Sequence, residues 1–223
     1  YKLKGNSVEE IISAGISIAK KACGEKALTA LDIGPIGQLL EPTGTLTFEE
    51  AYSIFKEQII AGKDADIIVF ETMTDLYELK AAVLAARENS DKPILCTMTF
   101  EENMRTFTGC SIPSMALTLN GLGVDAMGIN CSLGPKQLAP VCEELMKWTN
   151  VPVILKPNAG LPDPVTNKYD VLPEDFAEQM KTAALYGVSI FGGCCGTTPE
   201  YISKLKSVLE KTDIKREKIT IPA

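Results

Sequence analysis

The sequence predicts an α/β fold built from parallel strands with helical crossovers. Apolar runs rich in β-branched residues alternate with segments of helical period, and the order repeats six times within 223 residues. The ends of the apolar runs recur about every 32 residues, the length of one βα unit. Polar and thiol side chains follow these runs, where parallel α/β proteins bind ligands. Repeat length leaves two architectures open, a (β/α)8 TIM barrel of about 260 residues and an open doubly wound sheet.

The individual elements follow from the same patterns in chain order. Strands are predicted at residues 28–33, 65–70, 93–100, 125–130, 151–156 and 188–191. Helices are predicted at about residues 6–21, 47–61, 75–88, 112–122, 135–148, 173–186 and 198–210. Asn6 or Ser7 caps the first helix, and Pro199 occupies the first helical position of the last. The first helix has no predicted strand before it.

The composition argues against several classes of function. A net charge of -7, without a basic stripe, argues against a nucleic-acid surface. No apolar stretch approaches the roughly 20 residues that span a bilayer, and the first residues lack the order of a signal peptide. Seven cysteines, an odd number in a mid-sized chain, favour reduced thiols over disulfides. We therefore expect a cytoplasmic protein that binds small molecules and neither nucleic acid nor a membrane.

Three cysteines and three polar side chains lie where the predicted strands end. These residues are Asp32, Glu71, Cys131, Asn158, Cys194 and Cys195. Because the carboxyl ends of parallel strands meet at one edge of a sheet, either architecture collects them on one rim. An acidic side chain straight after an apolar run, as at Glu71, is costly unless it is paired.

The three cysteines suggest a metal site made of thiolates alone. The chain has no histidine, and zinc commonly takes three protein ligands and keeps one position open for catalysis. Cys131, Cys194 and Cys195 supply three such ligands, and their combined charge favours an electron-rich bound thiolate over ester hydrolysis. Metal binding deprotonates a thiol, so the implied reaction is alkyl transfer to sulfur. A redox pair at Cys194 and Cys195 is the alternative.

The other cysteines are predicted to have structural roles. Cys23, Cys96 and Cys142 each read as a small buried hydrophobic residue. Cys110, in a glycine-containing loop, is left open as a residue adjacent to the rim.

Two paired motifs carry a resemblance to a known family. The segment GINC at residues 128–131, followed by GGCCGTTP at 192–199, resembles the zinc signature of the homocysteine S-methyltransferase family. The likeness extends through DIGP at 32–35, FET at 70–72, LKAA at 79–82 and KPNAG at 156–160. The likeness covers the chain to about residue 205. Within the family, the order and residues of these motifs most resemble those of the homocysteine-binding domain in the cobalamin-dependent methionine synthase branch.

The resemblance implies a fold and a set of site residues. The implied fold is a (β/α)8 TIM barrel in which Cys131, Cys194 and Cys195 bind Zn2+ and the homocysteine sulfur takes the fourth position. By the same resemblance, Glu71 accepts from the substrate ammonium group, Asn158 contacts its polar end, and Asp32 assists. Each of the three side chains could instead have a structural role. Glu71 can pair with a lysine, and Asn158 and Asp32 can each stabilise a turn.

The resemblance also implies an activity and its partners. The expected enzyme is a zinc-dependent S-methyltransferase that activates homocysteine as a zinc thiolate and forms methionine. The expected methyl source is methylcobalamin or 5-methyltetrahydrofolate, through cobalamin and folate domains of the same or a partner polypeptide. Betaine and S-methylmethionine are alternative donors, and a non-catalytic zinc-binding or thiol-binding module is an alternative of another class.

The ends of the sequence differ from the family pattern. The first two strands of the family barrel have no counterpart, which would expose sheet edges and implies a longer polypeptide, a swapped element or an oligomer. We expect residues 1–210 to form the homocysteine-binding barrel domain, N-terminally incomplete in this sequence. Residues 211–223 read as a charged tail or the start of an interdomain linker.

Overall fold

A computed structural model describes residues 5–212, in which seven helices alternate with six strands. The helices are α1 (Val8–Cys23), α2 (Phe48–Ala61), α3 (Leu76–Asn89), α4 (Ile112–Gly121), α5 (Pro135–Met146), α6 (Pro173–Leu185) and α7 (Pro199–Leu209). The strands are β1 (Ala30–Ile33), β2 (Ile67–Met73), β3 (Ile94–Met98), β4 (Ala126–Asn130), β5 (Val153–Lys156) and β6 (Ile190–Phe191). The chain divides into two compact units, one ending at Cys96 and one beginning at Thr97. The predicted α/β alternation is confirmed.

The helices begin where the sequence supplies caps. Ser7 and Glu10 form a capping box at α1, where each side chain accepts from the backbone N–H of the other. Thr47 and Glu50 repeat the arrangement at α2. Such boxes satisfy backbone donors that the first helical turn leaves unpaired. The last four helices carry proline in the first turn, where the missing N–H costs nothing.

The first unit packs a two-layer α/β core. β1 and β2 pair in parallel, with Asp32 opposite Val69 and Ile33 opposite Phe70. Side chains alternate along β1, with Leu31 and Ile33 buried and their neighbours exposed. Phe55 of α2 meets Phe70 edge to face, with ring centroids 6.0 Å apart. This burial fixes which residues of β1 and β2 face the helices.

The second unit carries three parallel strands in chain order. β4 pairs with β5, and β5 pairs with β6, so the three strand ends lie side by side. Gly128 sits in β4 where a Cβ would collide with the Ile154 carbonyl, so glycine permits the close approach of the strands. Parallel pairing brings the residues after Asn130, Lys156 and Phe191 to one edge.

Some boundaries differ from the sequence prediction. β2 continues to Met73, so Glu71 lies inside the strand, whereas the apolar run had placed it directly after. The apolar pattern missed this extension because Glu71 and Thr72 are polar. Both residues are half-buried, so a polar side chain is tolerated there within the strand. The predicted tail at 211–223 falls mostly outside the described residues. No helix within residues 5–212 has the length and apolar character needed to cross a bilayer.

Candidate metal centre

Cys131 is positioned by a tight turn directly after β4. Its backbone N–H donates to the Lys156 carbonyl at 3.0 Å, which extends the pairing with β5 by one residue. Cys131 and Ser132 both have φ of 63°, a left-handed conformation that few non-glycine residues adopt. The Leu133 N–H then donates to the Cys131 carbonyl at 2.8 Å. The chain therefore turns away at the strand end and leaves the thiol at the rim.

Cys194 and Cys195 are held by the loop that follows β5. The Cys194 N–H donates to the Pro157 carbonyl at 2.8 Å, and the Cys195 N–H donates to Asn158 Oδ1 at 3.0 Å. The Cys195 carbonyl accepts from the Ala159 N–H at 2.9 Å. These bonds fix the backbone of both cysteines against a neighbouring strand end.

The glycines before the cysteines make room for this turn. A Cβ at Gly193 would collide with the Thr197 side chain, whose Oγ1 donates to the Cys194 carbonyl at 2.8 Å. At Gly192 the space for a Cβ is limited by the Lys156 side chain. The two glycines of the motif therefore allow the turn to close on itself.

The three thiols form one compact cluster. The Sγ atoms of Cys131 and Cys195 are 3.8 Å apart, those of Cys194 and Cys195 are 4.0 Å apart, and all three lie within 4.8 Å of one another. Zinc with tetrahedral sulfur ligands at about 2.3 Å places its sulfurs about 3.8 Å from one another. Cys131 and Cys194 are half-buried and Cys195 is exposed. The donor set and its spacing fit a zinc ion with one open position.

The cluster already favours a thiolate at Cys131. A hydrogen bond from Cys194 is the largest cause that lowers the pKa of Cys131 to about 5, and the Ser132 N–H, Cys195 and Asn158 add to it against the opposing effect of burial. The same hydrogen bond, with burial and nearby negative charge, raises the pKa of Cys194. One sulfur is therefore poised as an anionic ligand at neutral pH.

Asn158 lies against this cluster, buried with 5% of its surface exposed. Its Oδ1 accepts from Cys195, its backbone N–H donates to the Leu133 carbonyl at 3.0 Å, and its side chain also bonds Cys131. The residue thus ties the ends of β4 and β6 to its own loop. Its predicted contact with the polar end of a substrate stays a prediction.

Asp32 and Glu71 belong to the first unit. Asp32 lies in β1 on the exposed side of the strand, and Glu71 is half-buried within β2. Thr72, the next residue, has φ of 62°, a left-handed backbone conformation within β2. Both side chains sit near the carboxyl ends of their strands, and their predicted substrate roles stay predictions.

Sequence reasoning missed two side chains of the centre. Asn130 is fully buried, and its Nδ2 donates to Cys194 Sγ at 3.7 Å; its place in the GINC motif was the available signal. The ring of Tyr169 lies on Gly196. Loss of solvation is the largest cause that raises the pKa of Tyr169, followed by the charge of Cys195 and a hydrogen bond to it. Tyr169 lies in an irregular loop, where no periodic pattern marks it.

The remaining cysteines lie apart from the cluster. Cys96 and Cys142 are buried as predicted, and burial raises the pKa of Cys142 to about 12. Cys23 differs from the prediction because it is only half-buried, with its Sγ 3.5 Å from Thr29 Oγ1. Cys110 is half-buried in a turn, where its N–H donates to Thr106 Oγ1 at 3.1 Å.

The repeated βα units and the three-thiol rim define a protein of the α/β class with a site suited to a thiophilic metal. The family profile described as homocysteine S-methyltransferase matches residues 1–209. The chain belongs to the homocysteine S-methyltransferase family.

Curated relatives include two methionine synthases. The one from Mycobacterium tuberculosis is 31% identical over 94% of the chain, and the one from Mycobacterium leprae is 29% identical over 92%. The alignments cover 19% and 18% of those proteins, so the chain spans about a fifth of the length of these relatives.

Solved structures of similar fold include the homocysteine methyltransferase MmuM from Escherichia coli. Its apo form has a TM-score of 0.74 at 22% identity, covering 93% of this chain and 77% of MmuM. Its metallated form has a TM-score of 0.75 at 23% identity, covering 92% and 73%. At this identity the likeness establishes the fold alone, and the predicted α/β class of alternating strands and helices is confirmed.

Proposed function

We propose that this chain is the homocysteine-binding part of a zinc-dependent S-methyltransferase that forms methionine. The observation that carries the proposal is the cluster of three cysteine sulfurs within 4.8 Å, in a chain of the homocysteine S-methyltransferase family. The spacing suits a tetrahedral ion with one position left for a substrate thiol. In the reaction a sulfur–carbon bond forms, the bond from the methyl carbon to its donor breaks, and the thiol proton leaves.

Cys131, Cys194 and Cys195 would hold the zinc. Bound there, zinc supplies a Lewis acid that lowers the pKa of a thiol in the open position. Before a metal binds, the hydrogen bond from Cys194 lowers the pKa of Cys131 to about 5, so one anionic sulfur would be available to an arriving ion. Asn158 holds the Cys195 backbone through its Oδ1, and Asn130 holds the Cys194 sulfur through its Nδ2. Such outer contacts fix the direction of each ligand.

Glu71 and Asp32 are the proposed contacts of the amino-acid end of homocysteine, and Asn158 is proposed to assist from the cluster. The assignment rests on the family resemblance, and the position of both carboxylates near strand ends supports it. A carboxylate accepts charge-assisted hydrogen bonds from an ammonium group, which orients the substrate as well as binding it.

We propose that the methyl group comes from methylcobalamin, charged from 5-methyltetrahydrofolate, in other domains of the same or a partner polypeptide. The greater length of the methionine synthase relatives supports further domains. Residues 1–210 would form the homocysteine-binding domain. Seven cysteines without a disulfide support a cytoplasmic location.

The decisive test counts sulfur ligands around the metal. Reduced protein is purified anaerobically, and its zinc content and X-ray absorption spectrum are measured with and without homocysteine. We expect one zinc with three sulfur neighbours, rising to four with homocysteine, together with release of a proton. Unchanged methyl transfer by zinc-free protein would overturn the proposal.

The donor is tested separately in the full-length protein. Methylcobalamin, betaine and S-methylmethionine are each supplied with homocysteine, and methionine is measured by mass spectrometry. We expect turnover with methylcobalamin. Turnover with betaine or S-methylmethionine alone would retain the zinc chemistry and reject the proposed donor.

A further inference from the structure

Tyr169 stands beside the cysteine cluster and has no part in the proposed chemistry. Its ring lies on Gly196, whose φ of 80° and lack of space for a Cβ beneath the ring both require glycine. The Tyr169 hydroxyl interacts with the Cys195 sulfur, one residue before Gly196. The aromatic ring is therefore fixed next to one of the three thiols.

The segment that carries Tyr169 is itself constrained. Residues 161–170 fold back on themselves as a hairpin, with Pro162 and Tyr169 forming an antiparallel bridge. The Leu161 N–H donates to Asp170 Oδ1 at 3.2 Å, which closes the base of the hairpin. The ring is thus placed by its own loop and does not depend on the cysteines alone.

The open side of the cluster is the side of Cys195. Cys131 and Cys194 are half-buried, whereas Cys195 is exposed, so Cys195 is the residue of the cluster that is most accessible from solvent. We propose that Tyr169 is a specificity-determining residue whose ring narrows this approach, admitting small aliphatic thiols and excluding bulky ones. The inference rests on the proposed function for its choice of substrate, and the narrowing is tested without that substrate.

The test compares labelling of Cys195 by a small and a bulky thiol reagent, iodoacetamide and the aromatic iodoacetanilide, which both alkylate the sulfur irreversibly and release iodide. Reduced protein is labelled as purified and again with a chelator present, and peptide mass spectrometry reports the rate at Cys195. Both reagents attack the thiolate, so the ratio of their rates cancels any change in thiolate fraction. In Tyr169→Ala we expect the labelling rate of the bulky reagent at Cys195 to rise on the order of fivefold relative to that of the small reagent, because accessibility governs thiol reactivity.

Two further variants make the result specific. Tyr169→Phe keeps the ring and should keep the wild-type ratio of rates. Tyr186→Ala removes an exposed tyrosine at the C-terminal end of α6 and should also leave the ratio unchanged. Thermal melting confirms that each variant is folded. An unchanged ratio in Tyr169→Ala, or an equal change in Tyr169→Phe, would overturn the proposal.

Binding of thiols to the zinc-loaded protein separates this inference from the proposed function. Calorimetry with homocysteine and with glutathione, a bulky thiol, should show glutathione binding gained in Tyr169→Ala. Glutathione binding equal to that of homocysteine in the unchanged protein would overturn the size selection. If neither thiol bound any variant, the proposed function would fail, and the labelling ratio would still decide whether Tyr169 narrows the approach.

Discussion

The two units of the chain hold their polar strand ends in different ways. In the second unit, backbone hydrogen bonds connect the residues after β4, β5 and β6, including Cys131 to Lys156, Cys194 to Pro157 and Cys195 to Ala159. In the first unit, Asp32 and Glu71 occupy β1 and β2 themselves, and the register that pairs β1 with β2 runs from Ala30 with Ile67 to Ile33 with Phe70. Thiols are thus fixed by loops, whereas carboxylates are fixed by strands.

This difference matches what each proposed task demands. Metal ligands must keep their distances within tenths of an ångström, so interlocked loops that restrain each cysteine backbone are favourable. A carboxylate that binds an ammonium group tolerates more variation, because the charge attraction falls slowly with distance. The second unit is therefore expected to be more sensitive to substitution than the first.

The largest effect is expected for Cys195→Ala. Removing one of three sulfur ligands should lower zinc affinity by more than about a hundredfold, beyond the cost of losing an outer contact. Zinc affinity is measured by competition with a chromophoric chelator. Cys23→Ala, a half-buried thiol outside the cluster, is the matched control and should bind zinc normally. Stoichiometric zinc in Cys195→Ala would contradict the ligand assignment.

Asn158→Ala should follow, with zinc affinity lowered by about tenfold to a hundredfold. The substitution removes the acceptor of the Cys195 N–H and leaves that donor without its partner. Asn103→Ala is the control, because it also deletes a side-chain bond to a backbone N–H, that of Arg105, in an exposed loop. Equal zinc affinity in both variants would mean that Asn158 does not position the cysteines.

Glu71→Gln should weaken homocysteine binding on the order of tenfold, because it replaces a charge-assisted hydrogen bond with a neutral one. The dissociation constant is measured by calorimetry on zinc-loaded protein. Zinc content should stay unchanged, which separates this residue from the metal centre. Glu57→Gln, in α2, serves as control and should bind homocysteine normally. A loss of zinc in Glu71→Gln would break the division of tasks between the units.

The smallest effect concerns Glu78 in the first unit. Burial raises the pKa of Glu78, against the opposing hydrogen bond from the Ile36 N–H, and the charge of Asp75 adds to the rise. The folded state therefore holds this proton more tightly than the unfolded state. The contribution of Glu78 to the free energy of unfolding therefore falls as pH rises from its ordinary pKa of 4.5 through its folded pKa. Above the folded pKa, the full cost of burying the charged carboxylate is present.

Glu78→Gln should remove this pH dependence of the free energy of unfolding, because an amide does not titrate. The amide oxygen can still accept from the Ile36 N–H. The free energy of unfolding, measured by urea titration between pH 4 and 8, should change at neutral pH by no more than about 1 kcal/mol. Glu88→Gln, on the exposed face of the same helix, is the matched loss of one carboxylate, and a pH dependence lost equally in that variant would contradict the assignment to Glu78. A steeper pH dependence in Glu78→Gln would show that the charged carboxylate stabilises the fold.

Much of the fold and part of the candidate site could be predicted from the sequence. The apolar runs and the segments of helical period predicted the strands and helices, because burial of one face of an element sets the spacing of its apolar residues. The cysteine cluster could be inferred because parallel strand ends share an edge. The left-handed turn at Cys131 and Ser132 could not, since neither residue type signals a positive φ. Nor could Tyr169, whose position depends on how an irregular loop folds over Gly196.

The sequence separation of the thiols has a consequence for the unfolded chain. Cys131 and Cys195 lie 64 residues apart, yet their sulfurs meet at 3.8 Å. A metal ion bound by both sulfurs would act as a removable cross-link that closes a long loop in the unfolded chain. In the chain-entropy treatment of such loops, this restriction is worth about 4 kcal/mol. The supply of metal would then set how long the second unit survives heat or proteases, independently of any turnover.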